Sequence, residues 1–420
     1  MVRGREGLPD EMGRYTAGTF CSSVGTATFR SIVPILAVTT LSVGADAVGV
    51  LNALSMIGMT LLGIPIGVFA DRFSTRRMMI FADLARALLL LLVAVLGISG
   101  RLSIVALGIV CVCVGIAEVF FTTANSARVP SLVEDRQIPL AFGRLKAAST
   151  TGEVASPGVA AVMLGVVVAP AVAAVAAVAY LGSAALFAKP NGKLKHKQAS
   201  RRSRRTFFSE ALEGLRYSLG NPVLRALLLS GMAASTGAMF MNAFNVVYLA
   251  NVVGLSAALI ALVTTVQGVG GLVGALVAPR LIARRGEATT KIAASAAAAV
   301  PCLGYFAAPS LGADGIWAIV IACAGGGFVA VIAGVAGASV PARVAPRAML
   351  GRVIACNRTF ALGIMPFASI AGGLVVSQWG YEVGLISVIV FALASSLLLA
   401  LSPFRRWTSA STRQEKDEDE

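Results

Sequence analysis

A chain of 420 residues in which 57% of the side chains are hydrophobic and only 13% charged lies far from the roughly 25% charge of soluble globular domains. An ordinary soluble enzyme is thereby excluded, and at about 20 apolar residues per span the length accommodates about twelve transmembrane helices. Against 20 Asp and Glu stand 35 Lys and Arg, a formal +15 that raises nucleic acid or anionic lipid as partners until the charges are placed.

In chain order, apolar runs broken by charge or turn residues predict helices at 16–39, 47–70, 78–98, 102–124, 140–165, 168–188, 222–249, 256–281, 289–308, 315–338, 351–376 and 382–402. The first fifteen residues are polar and mixed in charge, and the run after them is too long for a cleavable signal peptide, so it reads as a first span. Residues 1–15 and 403–420 are then tails, 16–188 and 222–402 are two six-helix bundles, and 189–221 is a linker. The six cysteines lie almost entirely in apolar runs without zinc-type spacing and read as small core residues.

Basic residues near helix ends mark the cytoplasmic side. With the N-terminus inside, the inner segments hold Arg72, Arg76 and Arg77, then Arg128, Arg136, Arg144 and Lys146, then Arg280, Arg284, Arg285 and Lys291, and finally Arg343, Arg347 and Arg352. The outer loops offer Arg101 alone, so both termini are expected in the cytoplasm. The linker carries eight basic residues from Lys189 to Arg205 before its first acid, Glu210. On a polytopic protein such a segment is a topology signal that touches anionic headgroups, which leaves membrane lipid rather than nucleic acid as its expected partner. Ser209 to Tyr217 reads as an amphipathic helix on the membrane surface.

The two halves repeat each other. The stretch from Gly67 to Arg77 aligns with that from Ala275 to Arg285 at an offset of 208 residues. Val129-Pro130 matches Val340-Pro341, Gly143-Arg144 matches Gly351-Arg352, and Pro157 matches Pro366, all at nearly that offset. Collinear matches of this kind predict an all-α membrane protein of twelve transmembrane helices in two pseudo-symmetric six-helix bundles, as in transporters that rock about a midplane site.

Gly67, Asp71, Arg72, Arg76 and Arg77, between the second and third helices, resemble the pattern G-x-x-x-D-R-x-G-R-K of the major facilitator superfamily, with Ser74 in place of its second glycine and the basic pair one position later. The resemblance implies a gating loop that latches the two halves, its acid facing the N-terminal end of the eleventh helix. A plain topology loop explains the arginines but not Gly67 and Asp71 at that spacing. Over residues 14–407 the chain further resembles the bacterial drug, macrolide and siderophore exporters of that superfamily. The carriers are Ser23-Val-Gly25 with Pro34, Gly115-Ile-Ala-Glu118-Val-Phe-Phe-Thr-Thr-Ala124, Glu213-Gly-Leu-Arg-Tyr217, and Gly372-Gly373. That likeness implies a bacterial cytoplasmic membrane and a monomer. Its exporters carry G-x-x-x-G-P-x-x-G-G in the fifth helix; here Gly152, Pro157 and Gly158 remain while Ser156, Ala160 and Ala161 replace glycines. This is an antiporter-like motif or an ordinary small-residue packing face. The family's acid after Ser-x-x-Gly in the first helix is Thr26, which puts its mode of coupling in doubt for this chain.

Charges inside spans are costly and mark functional candidates. At 1.5 Å per residue, Arg30 lies roughly 22 Å above the inner boundary and Glu153 roughly 20 Å, a level at which they could pair, while Glu118 lies roughly 10 Å from the inner end, level with Asp83 and Arg86. Glu118 or Glu153 is either a proton carrier or part of a permanent ion pair; Asp83 with Arg86, within one helical turn, reads as the latter. Arg358 in the eleventh helix meets Asp71 or lines the cavity. Phe240, Asn242, Phe244 and Asn245 in the seventh helix suit amphipathic organic substrates, although a lipid-facing stripe has the same composition.

The expected function is secondary active export of hydrophobic or amphipathic small molecules by proton antiport, with a siderophore exporter or an uptake permease of the same superfamily as the near alternative. A non-transporting receptor or scaffold is the remote one. No cofactor is expected beyond the proton gradient as energy source. An enzyme is disfavoured because the sole histidine, His196, lies in the linker and no metal or nucleophile constellation is visible. No G-x-x-x-x-G-K-[ST] loop supports an ATP-driven pump.

Overall fold

The computed structural model describes residues 10–70, 74–133, 138–188, 215–338, 340–344, 353, 357 and 360–406. Asp71, Arg72 and Arg358, and the linker up to residue 214, lie outside the described residues. The described chain is helical and contains no strand: α1 (Asp10–Thr39), α2 (Ala45–Ala70), α3 (Thr75–Ile98), α4 (Ile104–Leu132), α5 (Ile138–Leu164), α6 (Ala169–Ala188), α7 (Pro222–Asn251), α8 (Ala257–Arg285), α9 (Glu287–Ala297), α10 (Val300–Ala307), α11 (Gly315–Ala338), the single turn α12 (Val340–Val344) and α13 (Met365–Ala400). Among the described residues, nine helical stretches are long and apolar enough to cross a membrane.

Polar residues at the loop exits start the helices. Ser74, Ser103, Asn221 and Ser256 cap α3, α4, α7 and α8, each accepting a backbone N–H of the first turn. Ser74, the departure from the family's glycine, thus has a local task. The predicted span at 289–308 is interrupted between Ala297 and Val300 and runs into a 3-10 turn, Ala308–Asp314. Met365–Ala400, which holds the end of the eleventh predicted span and most of the twelfth, is one element broken at Gly380, whose φ of +84° leaves the helical region and is one that glycine adopts at little cost.

The chain divides into two compact units, one of Met1–Ser42 and Leu54–Arg201, the other of Val43–Ala53 and Arg202–Glu420. In the first, α1 lies against α5 and α6, and α3 against α4 and α6. The second uses the same scheme: α7 lies against α13, and α9 against α11 and α13. Both units distribute residues as lipid demands. On α3, Phe81, Leu88 and Val95, seven residues apart, are 70%, 66% and 64% exposed, while Asp83, Arg86 and Leu90 are fully buried on the other face. The polar side of the helix points inward and the apolar side outward, the inverse of a soluble helix.

Helices approach closely where side chains vanish. On α8 and α11, a Cβ at Gly327 would collide with the carbonyl oxygen of Gln267, and one at Gly270 with that of Ala324; lipid offers little other drive for association than such packing. Replacing Gly327 by Val is therefore expected to cost about 1–3 kcal/mol, measured as a lowered unfolding midpoint of the detergent-purified protein. Gly334→Ala on the same helix, where the added methyl meets open space, is expected to leave the midpoint unchanged.

Candidate functional site

Four charged side chains of the first unit form two neighbouring pairs on α1, α3 and α4. In the inner group, Asp83 and Arg86, one turn apart on α3, form an ion pair with side chains 0% and 1% exposed. An ion pair without water survives only if its remaining lone pairs and N–H groups find partners, and here most of them do. Ser183 Oγ donates to Asp83 Oδ2 at 2.6 Å and Ser22 Oγ to Oδ1 at 3.1 Å. Arg86 donates from Nη1 to Thr26 Oγ1 at 3.2 Å, from Nη2 to Ser22 Oγ at 3.1 Å, and from Nε to the Ala82 carbonyl at 3.3 Å. Tyr180 Oη also donates to Thr26 Oγ1, at 3.1 Å. The guanidinium carbon lies 4.4 Å from the centre of the Tyr180 ring and 4.8 Å from that of Phe121, so aromatic faces cover the cation.

Helical spacing explains how two other helices reach this pair. Ser22 and Thr26 are four residues apart on one face of α1, and Tyr180 and Ser183 three apart on one face of α6. The ring of Tyr180 fits because α1 has Gly25 opposite it, where a Cβ would come within 2.9 Å of the ring. The expected Asp83–Arg86 pair is present, whereas its partners on α1 and α6 escaped the sequence reading; the requirement that a buried ion pair be hydrogen-bonded was the available signal.

In the second group Arg30 of α1 donates to Glu118 of α4 at 2.6 Å, with side chains 53% and 17% exposed. The pair with Glu153 that the estimated levels allowed is not formed among the described residues. Counting depth from predicted helix ends misplaced both residues: α4 continues to Leu132 rather than 124, and α1 begins at Asp10 rather than 16, so the levels did not show which acid Arg30 meets. Glu153 is exposed on α5 and makes no hydrogen bond or ion pair among the described residues. Glu118 is also close enough to Arg86 to interact with it electrostatically, so the two groups share a field.

The remaining predicted residues fall in different places. Gly152 brings α5 against α1, where a Cβ would lie 3.1 Å from that of Ser23 and 3.2 Å from the Phe20 carbonyl oxygen. Near it, Ser156 Oγ donates to the Val24 carbonyl at 2.9 Å and shares a 2.6 Å hydrogen bond with Thr28. Pro157 is buried and Gly158 half-buried in the same helix. Gly67 lies in α2, and Arg77 is exposed in the first turn of α3. Arg76 reaches the end of α6, donating from Nε to the Phe187 carbonyl at 2.7 Å and from Nη2 to that of Ala188. There it caps orphan carbonyls at the negative end of the helix dipole.

In the second unit Phe240 and Phe244 are buried at 6% and 0% exposure, Phe240 against Phe391 and Phe244 against Tyr381. Asn245 accepts from Tyr305 Oη at 2.9 Å. Asn242 is exposed, its Oδ1 accepting from Asn52 Nδ2 at 3.0 Å. No cluster of three or more metal-ligating side chains occurs among the described residues.

Replacing Arg86 alone by Met strands Asp83 without its cation and is expected to destabilise the protein by about 3–5 kcal/mol. Asp83→Leu combined with Arg86→Met is expected to lose less than either single change, read from unfolding midpoints of the three variants in one detergent.

A family model described as Major Facilitator Superfamily matches residues 15–337. No curated protein matches the chain. Among solved structures, the nucleoside transporter NupG aligns with a TM-score of 0.74 at 14% identity, over 93% of this chain and 98% of that one. The POT family transporter PepTSo aligns at 0.70 and 14%, over 97% and 99%. A bacterial homologue of the iron transporter ferroportin aligns at 0.69 and 15%, over 94% and 98%. With the family model covering more than half of its length, the chain belongs to the Major Facilitator Superfamily and is a multi-pass membrane transporter rather than an enzyme.

Proposed function

We propose that the protein exports hydrophobic or amphipathic small molecules in exchange for protons, with Glu118 as the acid that loads and releases the proton. The observation that carries this reading is the contrast between the two charge groups. The carboxylate of Asp83 is sealed and accepts three hydrogen bonds, whereas the Arg30–Glu118 pair is accessible. An accessible ion pair at membrane depth fits a water-filled space better than hydrocarbon. There Glu118 can take up a proton, give up its bond to Arg30, and recover it when the proton leaves. Arg86, held by Asp83, supplies a fixed positive field beside it.

On the substrate side, support narrows to Asn242, the exposed member of the four predicted lining residues; Phe240 and Phe244 serve packing instead. An exposed amide on a helix rich in methionine and aromatic residues suits molecules with one polar and one apolar end. Export rather than uptake rests on the helix 5 run, whose Gly152 seats α5 on α1, and on the resemblance to drug exporters. The solved structures of the same fold carry names as different as nucleoside, peptide-family and iron transporters, so the cargo follows from side chains and not from the fold.

Expression in cells is expected to lower the accumulation of at least one member of a panel of lipophilic drugs, and dissipating the proton gradient is expected to abolish the effect. Glu118→Gln is expected to remove the dependence on the gradient, and Glu153→Gln to leave it in place. Accumulation that rises on expression reverses the direction, and export by Glu118→Gln that still follows the gradient removes this residue from coupling.

A further inference from the structure

In the second unit, the first turns of α7 and the last turns of α13 enclose a groove of about 470 Å³ at one membrane boundary. Leu229, Ala394, Leu397, Leu398 and Leu401 make its walls and Arg225 stands at its rim. Leu397 and Leu401 are 56% and 79% exposed, a surface that water would penalise and that hydrocarbon chains cover without cost.

The rim is electrostatically incomplete. Asn221 Oδ1 already accepts the N–H groups of Val223 and Leu224, so the helix end itself is capped. Arg225 lies just beyond these residues, at the end where the helix dipole disfavours a cation. Among the described residues it forms no side-chain hydrogen bond or ion pair. A second arginine, Arg405, is exposed in the 3-10 turn Pro403–Arg406, which lies against α7.

We propose that this groove binds an anionic phospholipid, with one acyl chain along the leucines and the phosphate on Arg225. Each half of the site excludes a simpler occupant. A soluble anion meets the arginine but leaves the leucines bare, and a zwitterionic lipid covers the leucines but brings a choline or amine next to the Arg225 guanidinium. Basic pockets between spanning helices at a membrane boundary characteristically take lipids of net negative charge.

The test uses full-length protein in vesicles containing photoactivatable phosphatidylglycerol or phosphatidylcholine, each with a diazirine on the acyl chain. Labelled peptides are read by mass spectrometry, with residues 81–95 of the lipid-facing side of α3 as the internal standard for bulk lipid. Phosphatidylglycerol is expected to label 226–229 and 394–401 about fivefold more than phosphatidylcholine after normalisation, and Arg225→Glu to remove that preference. Leu398→Trp, which fills the groove and keeps the charge, is expected to lower labelling by both probes. Equal labelling by the two lipids, or a preference unchanged in Arg225→Glu, overturns the proposal; the α3 standard confirms in each variant that the protein is folded in the bilayer.

Discussion

Asp83 and Arg86 sit where neither can be hydrated, and much of the first unit is arranged around that fact. A lone charge there would cost several kcal/mol, so α1 contributes Ser22 and Thr26, α6 contributes Tyr180 and Ser183, and α4 contributes the ring of Phe121. Three helices are thereby fixed relative to α3 in rotation as well as distance, because a hydroxyl turned by one residue misses its partner. In lipid, where apolar surfaces can slide past each other at little cost, such directional contacts define a single register.

Rigidity at that point gives Arg30 and Glu118 their context. The two pairs contain the same kinds of ion, yet Arg30 is half exposed and Arg86 sealed. Under the proposed proton exchange the Arg30–Glu118 pair would break and re-form, which full matching on every side would oppose, since each added hydrogen bond would have to be undone at every cycle. The incomplete coordination of Glu118 is thus the counterpart of the complete coordination of Asp83, and the small residues at Gly152 and Ser156, which hold α5 on α1, keep the helix bearing Arg30 in place.

Much of this was legible in the sequence. Hydropathy placed the helix at 315–338 with its observed bounds, and the break between the last two spans falls at Gly380. The internal offset anticipated the common packing scheme of the two units. Depth was harder to read, because it is counted from helix ends and α4 continues eight residues beyond the predicted stop through a polar stretch that includes Asn125, Ser126 and Arg128. Composition alone could not separate Phe240 and Phe244, which fill contacts with Phe391 and Tyr381, from Asn242, which faces outward; that distinction depends on which face of α7 the rest of its unit covers.

Arg76 was counted as one more basic residue marking the cytoplasmic side, but its guanidinium is engaged with the last carbonyls of α6. The polar connection to the second half of the chain begins at Lys189, immediately after those carbonyls. Its point of departure is therefore riveted to the start of α3, the helix that carries Asp83 and Arg86. A pull on the end of α6 would therefore be shared with the start of α3, the helix that carries the buried ion pair.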